Sequence, residues 1–262
     1  MRYLFFIIIL CFPFLLKAQT GYRLIYNLKY QIDSTDINSV SDELFYLDMF
    51  GNESYFLSEN KFLLDSFLVN VDEGADVNVL ASMSKRPKIP TFGYILQNKN
   101  DTVRHYERVL TTKIMYQEKV NLSWKLSEDT LQIGNYICQK ATTHFAGRDY
   151  EAWYTTEIPL TAAPYKFNGI LGVVMRVVDS KKHYQFNLLE IKSTEKSLIY
   201  ELINEQKIID KKDFLIVKEK MKSNPEVMFT EFGFQLTEEA REAMRKKTEA
   251  RLKRENNPIE LE

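Results

Sequence analysis

The stretch that decides the fold is "LGVVMRVVDSKKHYQFNLLEI", Leu171 to Ile191. Val173, Met175 and Val177 recur at every second position, and Tyr184, Phe186 and Leu188 do the same after a polar break at Ser180–Lys182. Period two is the pattern of strands, whose successive side chains point to opposite faces, and a short polar break between two such runs is a hairpin turn. The first run is apolar on both faces apart from Arg176, which suits a strand in the middle of a sheet. An antiparallel hairpin is therefore predicted here.

Working upstream, "YICQKATTHF" (Tyr136 to Phe145) and "RDYEAWYT" (Arg148 to Thr155) form a second hairpin around Ala146-Gly147. Between the hairpins lies "PYKFNGILG", with Gly169 and Gly172 three residues apart. A phosphate cradle would need a helix to start after the glycines, and a strand follows instead. The glycines are read as a tight corner that folds Tyr165 and Phe167 over Trp153. Corners at the mouth of a curved sheet also line pockets. The candidate ligand-binding set is therefore Trp153, Tyr154, Tyr165, Phe167, Gly169 and Gly172, with Arg148 as an anion contact.

Towards the N-terminus, Tyr22 to Ile32 alternates with one aromatic face, and "ELFYLDMF" and "ESYFLS" flank a turn at Gly51-Asn52. "ENKFLLDSFLVN" reads as a short helix, and Asp72 to Pro90 as a loop. "TFGYILQ", "TVRHYERV", "TKIMYQE" and "LSWKL" read as further strands. Helix enters late: "DKKDFLIVKEKMKS" carries Phe214, Val217 and Met221 on one stripe and stops at Asn224-Pro225. Thr237 is a predicted N-cap for a charged helix reaching about Arg254. The predicted fold is mainly β: a curved, largely antiparallel sheet or half-open barrel with a few helices, the last of them charged.

The first eighteen residues read as a secretory signal, with Arg2 before an apolar run from Leu4 to Leu16 that is short for a bilayer span. Leu10 before Cys11 is the wrong residue for lipidation. The predicted organisation is a signal at 1–18, a β-rich domain at 19–236 and a charged helix and tail at 237–262. The expected product is exported, periplasmic or secreted, with one thiol, Cys138, and no transmembrane span. A formal net charge of −1 gives no nucleic-acid signal.

His105, His144 and His183 are scattered, and no zinc, P-loop or dinucleotide motif occurs, so neither metal nor cofactor is expected. Cys138 and His144 lie on one strand about 20 Å apart at its rise per residue, too far to act together. The best constellation for catalysis is Asp149 and Glu151, two apart on one strand face, with His144 as a third member: an envelope hydrolase is the rival reading. Asp101-Thr102-Val103 and Asp129-Thr130-Leu131 resemble O-glycosylation acceptor sites of some Gram-negative envelopes.

Several blocks also resemble the GLPGLI family of exported Gram-negative proteins: Cys138 to Ala141, Arg148 to Tyr154, Glu157 to Pro159, Ala163 to Phe167 and Gly169 to Val174, with the closing "NNPIELE". The signature proline is Leu171 here. The resemblance implies an envelope protein with no established activity, associated with outer-membrane receptor or transport systems. The functional expectation is non-catalytic binding of an apolar small molecule or an outer-membrane partner.

Overall fold

The computed structural model describes residues 21–72, 87–110, 112–194, 203, 206–231 and 233–262. The predicted signal, 1–18, lies outside the described residues, as does most of the loop expected between Asp72 and Pro90.

Among the described residues, twelve strands make one sheet. They are β1 (Gly21–Gln31), β2 (Val40–Phe50), β3 (Glu53–Ser58), β4 (Tyr94–Lys99), β5 (Thr102–Val109), β6 (Thr112–Lys119), β7 (Lys125–Ile133), β8 (Tyr136–Phe145), β9 (Arg148–Thr155), β10 (Val173–Asp179), β11 (Tyr184–Thr194) and β12 (Lys207–Ile208). The spatial order is β12-β6-β5-β4-β3-β2-β1-β11-β10-β9-β8-β7. The chain walks outward from β1 to β6, crosses to the far edge, and walks back from β7 to β11, which pairs with β1. Neighbours are antiparallel except for the two-residue β12, which runs parallel to β6. This is the mainly β, antiparallel architecture that the alternating runs predict.

Two local details differ from the sequence pattern. In β10 the register slips between Val174 and Arg176, so Val173, Val174 and Met175 are all buried instead of alternating. The strand expected from Leu122 begins at Lys125; Trp124 is instead held by the loop between β9 and β10, donating its Nε1 proton to the Asn168 carbonyl at 2.9 Å. That strand then runs on through "SEDTLQI", where a register shift between Leu126 and Thr130 blurs the alternation.

The inner face carries the main core: Leu24, Tyr26 and Leu28 of β1, Phe45 and Leu47 of β2, Phe56 of β3, Leu96 of β4, Val177 of β10 and Phe186 of β11. Phe56 and Phe186 lie 6.2 Å apart between ring centroids, although three strand spacings, about 14 Å on a flat sheet, separate β3 from β11. The sheet is therefore curled. Helix α1 (Glu59–Asp72) packs on the outer face of β2 and β3, where Phe62 meets Tyr46 and a cluster containing Tyr55, Leu57, Ile95, Tyr106 and Met115. Helix α2 (Lys211–Ser223) seats Phe214 on the inner face against Tyr116, at 4.9 Å. The chain then runs through α3 (Glu226–Glu231) into α4 (Glu238–Arg254), capped by Thr237, whose hydroxyl accepts from the Ala240 amide at 3.3 Å. No helix among the described residues is long and apolar enough to cross a membrane.

The hollow of the curl is filled by the loop between β9 and β10. Phe167 packs 4.7 Å from Tyr150 and 5.8 Å from Phe186, and Tyr165 stacks on Phe186 at 6.3 Å. The expected packing of Tyr165 and Phe167 over Trp153 is not what forms. Tyr150 shares a face of β9 with Arg148, Ala152 and Tyr154, while Trp153 points the other way with Asp149 and Glu151. Between the two aromatic residues, Lys166 is buried and bonds Glu118 at 2.6 Å and Glu260 at 2.5 Å.

Residues 256–262 close the mouth. The Asn257 amide group donates to the Gln31 carbonyl at 2.6 Å, and Tyr184 donates its hydroxyl proton to the Asn257 carbonyl at 2.6 Å. Arg148 is the clasp: its guanidinium donates to Asp179, Asn257, Pro258 and Ile259.

Candidate functional site: an outer-face groove

With the inner face filled by its own loop and tail, the opening that remains near the chemistry-bearing residues is on the outside. It is a groove of about 610 Å3 across the ends of β7 to β10. Sheet order sets its shape. Ser123 and Lys125 at the start of β7 stand on one side, Ser180 and Lys182 of the β10–β11 turn on the other, and β8 and β9 lie between them. The β8–β9 hairpin supplies the floor. Its turn holds Ala146 at φ 47° and Gly147 at φ 76°, a tight left-handed pair that locks the register. That register sets Thr142 opposite Glu151 and His144 opposite Asp149, with both pairs lining the groove.

The Nδ1 of His144 lies 2.8 Å from Asp149 Oδ1, and the two side chains are 62% and 76% exposed. Glu151 accepts from Trp153 Nε1 at 2.7 Å and from Lys140 Nζ at 2.9 Å. Burial alone would raise the Glu151 pKa, but the hydrogen bonds from Lys140 and Trp153 outweigh it and hold the group below its ordinary value. Its hydrogen bond with Glu151 in turn raises the pKa of Lys140. Glu151 is therefore a fixed, ionised acceptor. The third carboxylate at the groove, Asp179, is turned inward to Arg148 at 3.1 Å.

The residues singled out in the sequence divide between the two faces. Tyr154, Tyr165 and Phe167 are interior, and the Tyr154 hydroxyl donates to Gln139 Oε1 at 2.8 Å. Arg148 is 5% exposed and committed to the tail clasp. Gly169 and Gly172 adopt φ 101° and 124° at the corner, and the corner presses on protein: a Cβ at Gly169 would stand 3.5 Å from the Trp124 ring. Trp153 alone of that set faces outward, beside Glu151. His144, Asp149 and Glu151 do meet in one groove. Cys138 is fully buried, its thiol pushed up by burial. Of the two acceptor-like threonines, Thr102 is half-buried and Thr130 is exposed on the edge strand β7.

Thr142, Lys125, Lys182, Ser123 and Ser180 are among the groove residues that sequence reasoning did not single out. The Thr142–Glu151 and His144–Asp149 pairs follow from the Ala146-Gly147 turn by counting outward. Lys125 and Lys182 reach the groove only because β7 and the β10–β11 turn flank the same hairpin, a long-range fact with no local signal.

Solved structures of PNGF-II are among those that share the fold. The structure of PNGF-II in the P21 space group superposes with a TM-score of 0.56 at 13% identity, covering 78% of this chain and 34% of that one. PNGF-II in the C2 space group gives 0.52 at 15% identity, covering 76% and 32%. The chain thus spans about a third of the length of the structures it matches. No curated protein matches it. The resemblance to the GLPGLI family is corrected by the family comparison. The blocks that carried it, between Cys138 and Val174, fall inside the span matched by a different family, and many of them are corner and core residues. That span is residues 67–219, more than half of the sequence, and the chain belongs to the family described as N-glycanase peptide, N-terminal domain.

Proposed function

We propose that this chain is an exported, non-catalytic module that binds N-linked glycans on protein, and that the outer groove holds the sugar. The observation that carries the reading is the groove, whose walls and floor converge hydroxyl, imidazole, carboxylate and ammonium groups from four neighbouring strands. Sugar hydroxyls both donate and accept, so a fixed acceptor such as Glu151 beside a hydroxyl such as that of Thr142 suits them. The family's N-glycanase description directs the ligand class to N-linked glycans. An apolar ligand is less well served, because Tyr154, Tyr165 and Phe167 are spent on the core.

Surface interferometry against ribonuclease B and its enzymatically deglycosylated form tests this. Binding is expected to the glycosylated form alone, weakened about tenfold or more by Glu151→Gln or Asp149→Asn, equivalent to about 1.4 kcal/mol, with unchanged circular dichroism. Equal binding to both forms overturns the reading.

A second reading, a hydrolase, is favoured by one observation: the His144–Asp149 contact has the form of a base held by an orienting carboxylate. Its exposure counts against it, since water screens the charges such a site must exploit. Mass spectrometry of glycopeptide incubated with the protein decides. Glycan release that disappears in Asp149→Asn supports the hydrolase, and no release ends it.

A further inference from the structure

The charges around the groove do not cancel. Each carboxylate that lines it already has a basic partner: Asp149 has His144, Glu151 has Lys140, and Asp179 has Arg148. Lys125 and Lys182 line the groove from opposite sides, both exposed, and among the described residues neither has a carboxylate within ion-pair distance. The base of Lys182 is fixed. The residue sits at φ 59° in a turn whose amide bonds the Asp179 carbonyl at 2.8 Å, while its own carbonyl accepts from Gln185 Nε2 at 3.1 Å. The β10–β11 turn is tied to the groove floor by the Ser180 amide, which donates to the Asp149 carbonyl at 2.9 Å. Two ammonium groups thus flank a trough in which Glu151 and Asp179 are paired with fixed cations and Asp149 is hydrogen-bonded to His144, so unpaired positive charge outnumbers unpaired negative charge and the field favours an anion.

Resting on the glycan-binding reading above, we infer that the groove selects glycans bearing a carboxylate sugar, with Lys125 and Lys182 as the residues that recognise the acidic group. A point-charge ammonium on a flexible stem suits this role, because it can follow a carboxylate along a saccharide without the fixed angle a guanidinium demands. The neutral part of the sugar rests on Thr142 and Glu151, so the two contributions are separable. The protein's formal net charge of −1 makes the preference local and not a property of the whole surface.

The test compares a sialylated biantennary N-glycan with its enzymatically desialylated counterpart by titration calorimetry, at about 0.02 M and about 0.3 M salt, where the screening length falls from roughly 20 Å to about 6 Å. The acidic glycan is expected to bind about fivefold or more tightly at low salt, with most of the advantage lost at high salt. The double variant Lys125→Gln, Lys182→Gln is expected to bind the two glycans equally, the acidic preference lost. Both positions are exposed, so the fold is not at stake. Equal binding of the two glycans at low salt overturns this inference and leaves the glycan-binding reading standing, as does a preference that survives in the double variant. Failure of both glycans to bind overturns the two together.

Discussion

Gly172 has the least freedom of any residue at the corner. Its φ of 124° is closed to ordinary side chains, and an added Cβ would stand 2.4 Å from the Thr155 carbonyl oxygen. Backbone cannot swing aside as a side-chain tip can. Gly172→Ala is expected to cost about 2–4 kcal/mol in urea unfolding. Gly134→Ala, at φ 59° with open space around it, is expected to cost about 1 kcal/mol. Similar losses at the two sites would mean that the corner is not packed as described. His105 makes a second residue-scale prediction. It stacks on Tyr116 at 4.8 Å, lies 5.1 Å from Phe214 and meets Glu107 Oε2 at 3.1 Å. Burial lowers its pKa below the ordinary 6.5, only partly opposed by Glu107. Below pH 6.5 the unfolded chain then takes up a proton that the folded chain refuses, so stability falls as pH drops from there towards the depressed folded value. Glu107 and Glu118 are also held below their ordinary 4.5, so their stabilising contribution is lost further down, as pH falls through their folded values. Thermal melts from pH 8 to 5 should show a decline beginning near 6.5 in the wild type and a flatter profile over that range in His105→Gln. Parallel profiles would remove His105 from the account.

Among the elements, the β9–β10 loop and the tail are the two that convert a curled sheet into a filled one. Arg148 links them to the strands, with its charge opposed to Asp179 at 2% exposure. Arg148→Met keeps the stem and strands that carboxylate, so a loss of about 3–5 kcal/mol is expected in urea unfolding. A loss under about 0.5 kcal/mol, typical of a surface site, would show the tail to be an ornament. The strands themselves were legible because period-two runs and turn residues are local: Leu171–Ile191 and Tyr136–Thr155 could be paired by eye. The bulge at Met175 was not, since an extra residue changes which face follows it without changing composition. Nor was the position of Trp153. The aromatic residues of β9 and of the loop suggested one cluster, but the parity of the strand sends Tyr150 inward to Phe167 and Trp153 outward to Glu151. The commitment of Arg148 was also hidden, because its partners Asn257, Pro258 and Ile259 lie more than a hundred residues away.

At the scale of the whole molecule, one sheet has two differently employed faces. The inner face is occupied by the chain's own loop and tail. The outer face is covered by α1 over β2 and β3, and it leaves a polar groove over β7 to β10. The order of strands makes this possible: β1 at the centre, with one arm walking out and the other walking back, puts the helix-covered β2 and β3 on one side of β1 and the groove on the other. Nothing local in the sequence announces that division, and the account's central claim rests on it. Hydrogen–deuterium exchange with a saturating N-glycan tests it most directly. Slowed exchange is predicted in 140–151 and 178–182, with 164–168 and 256–261 unchanged; protection confined to the inner-face loop and tail would contradict it.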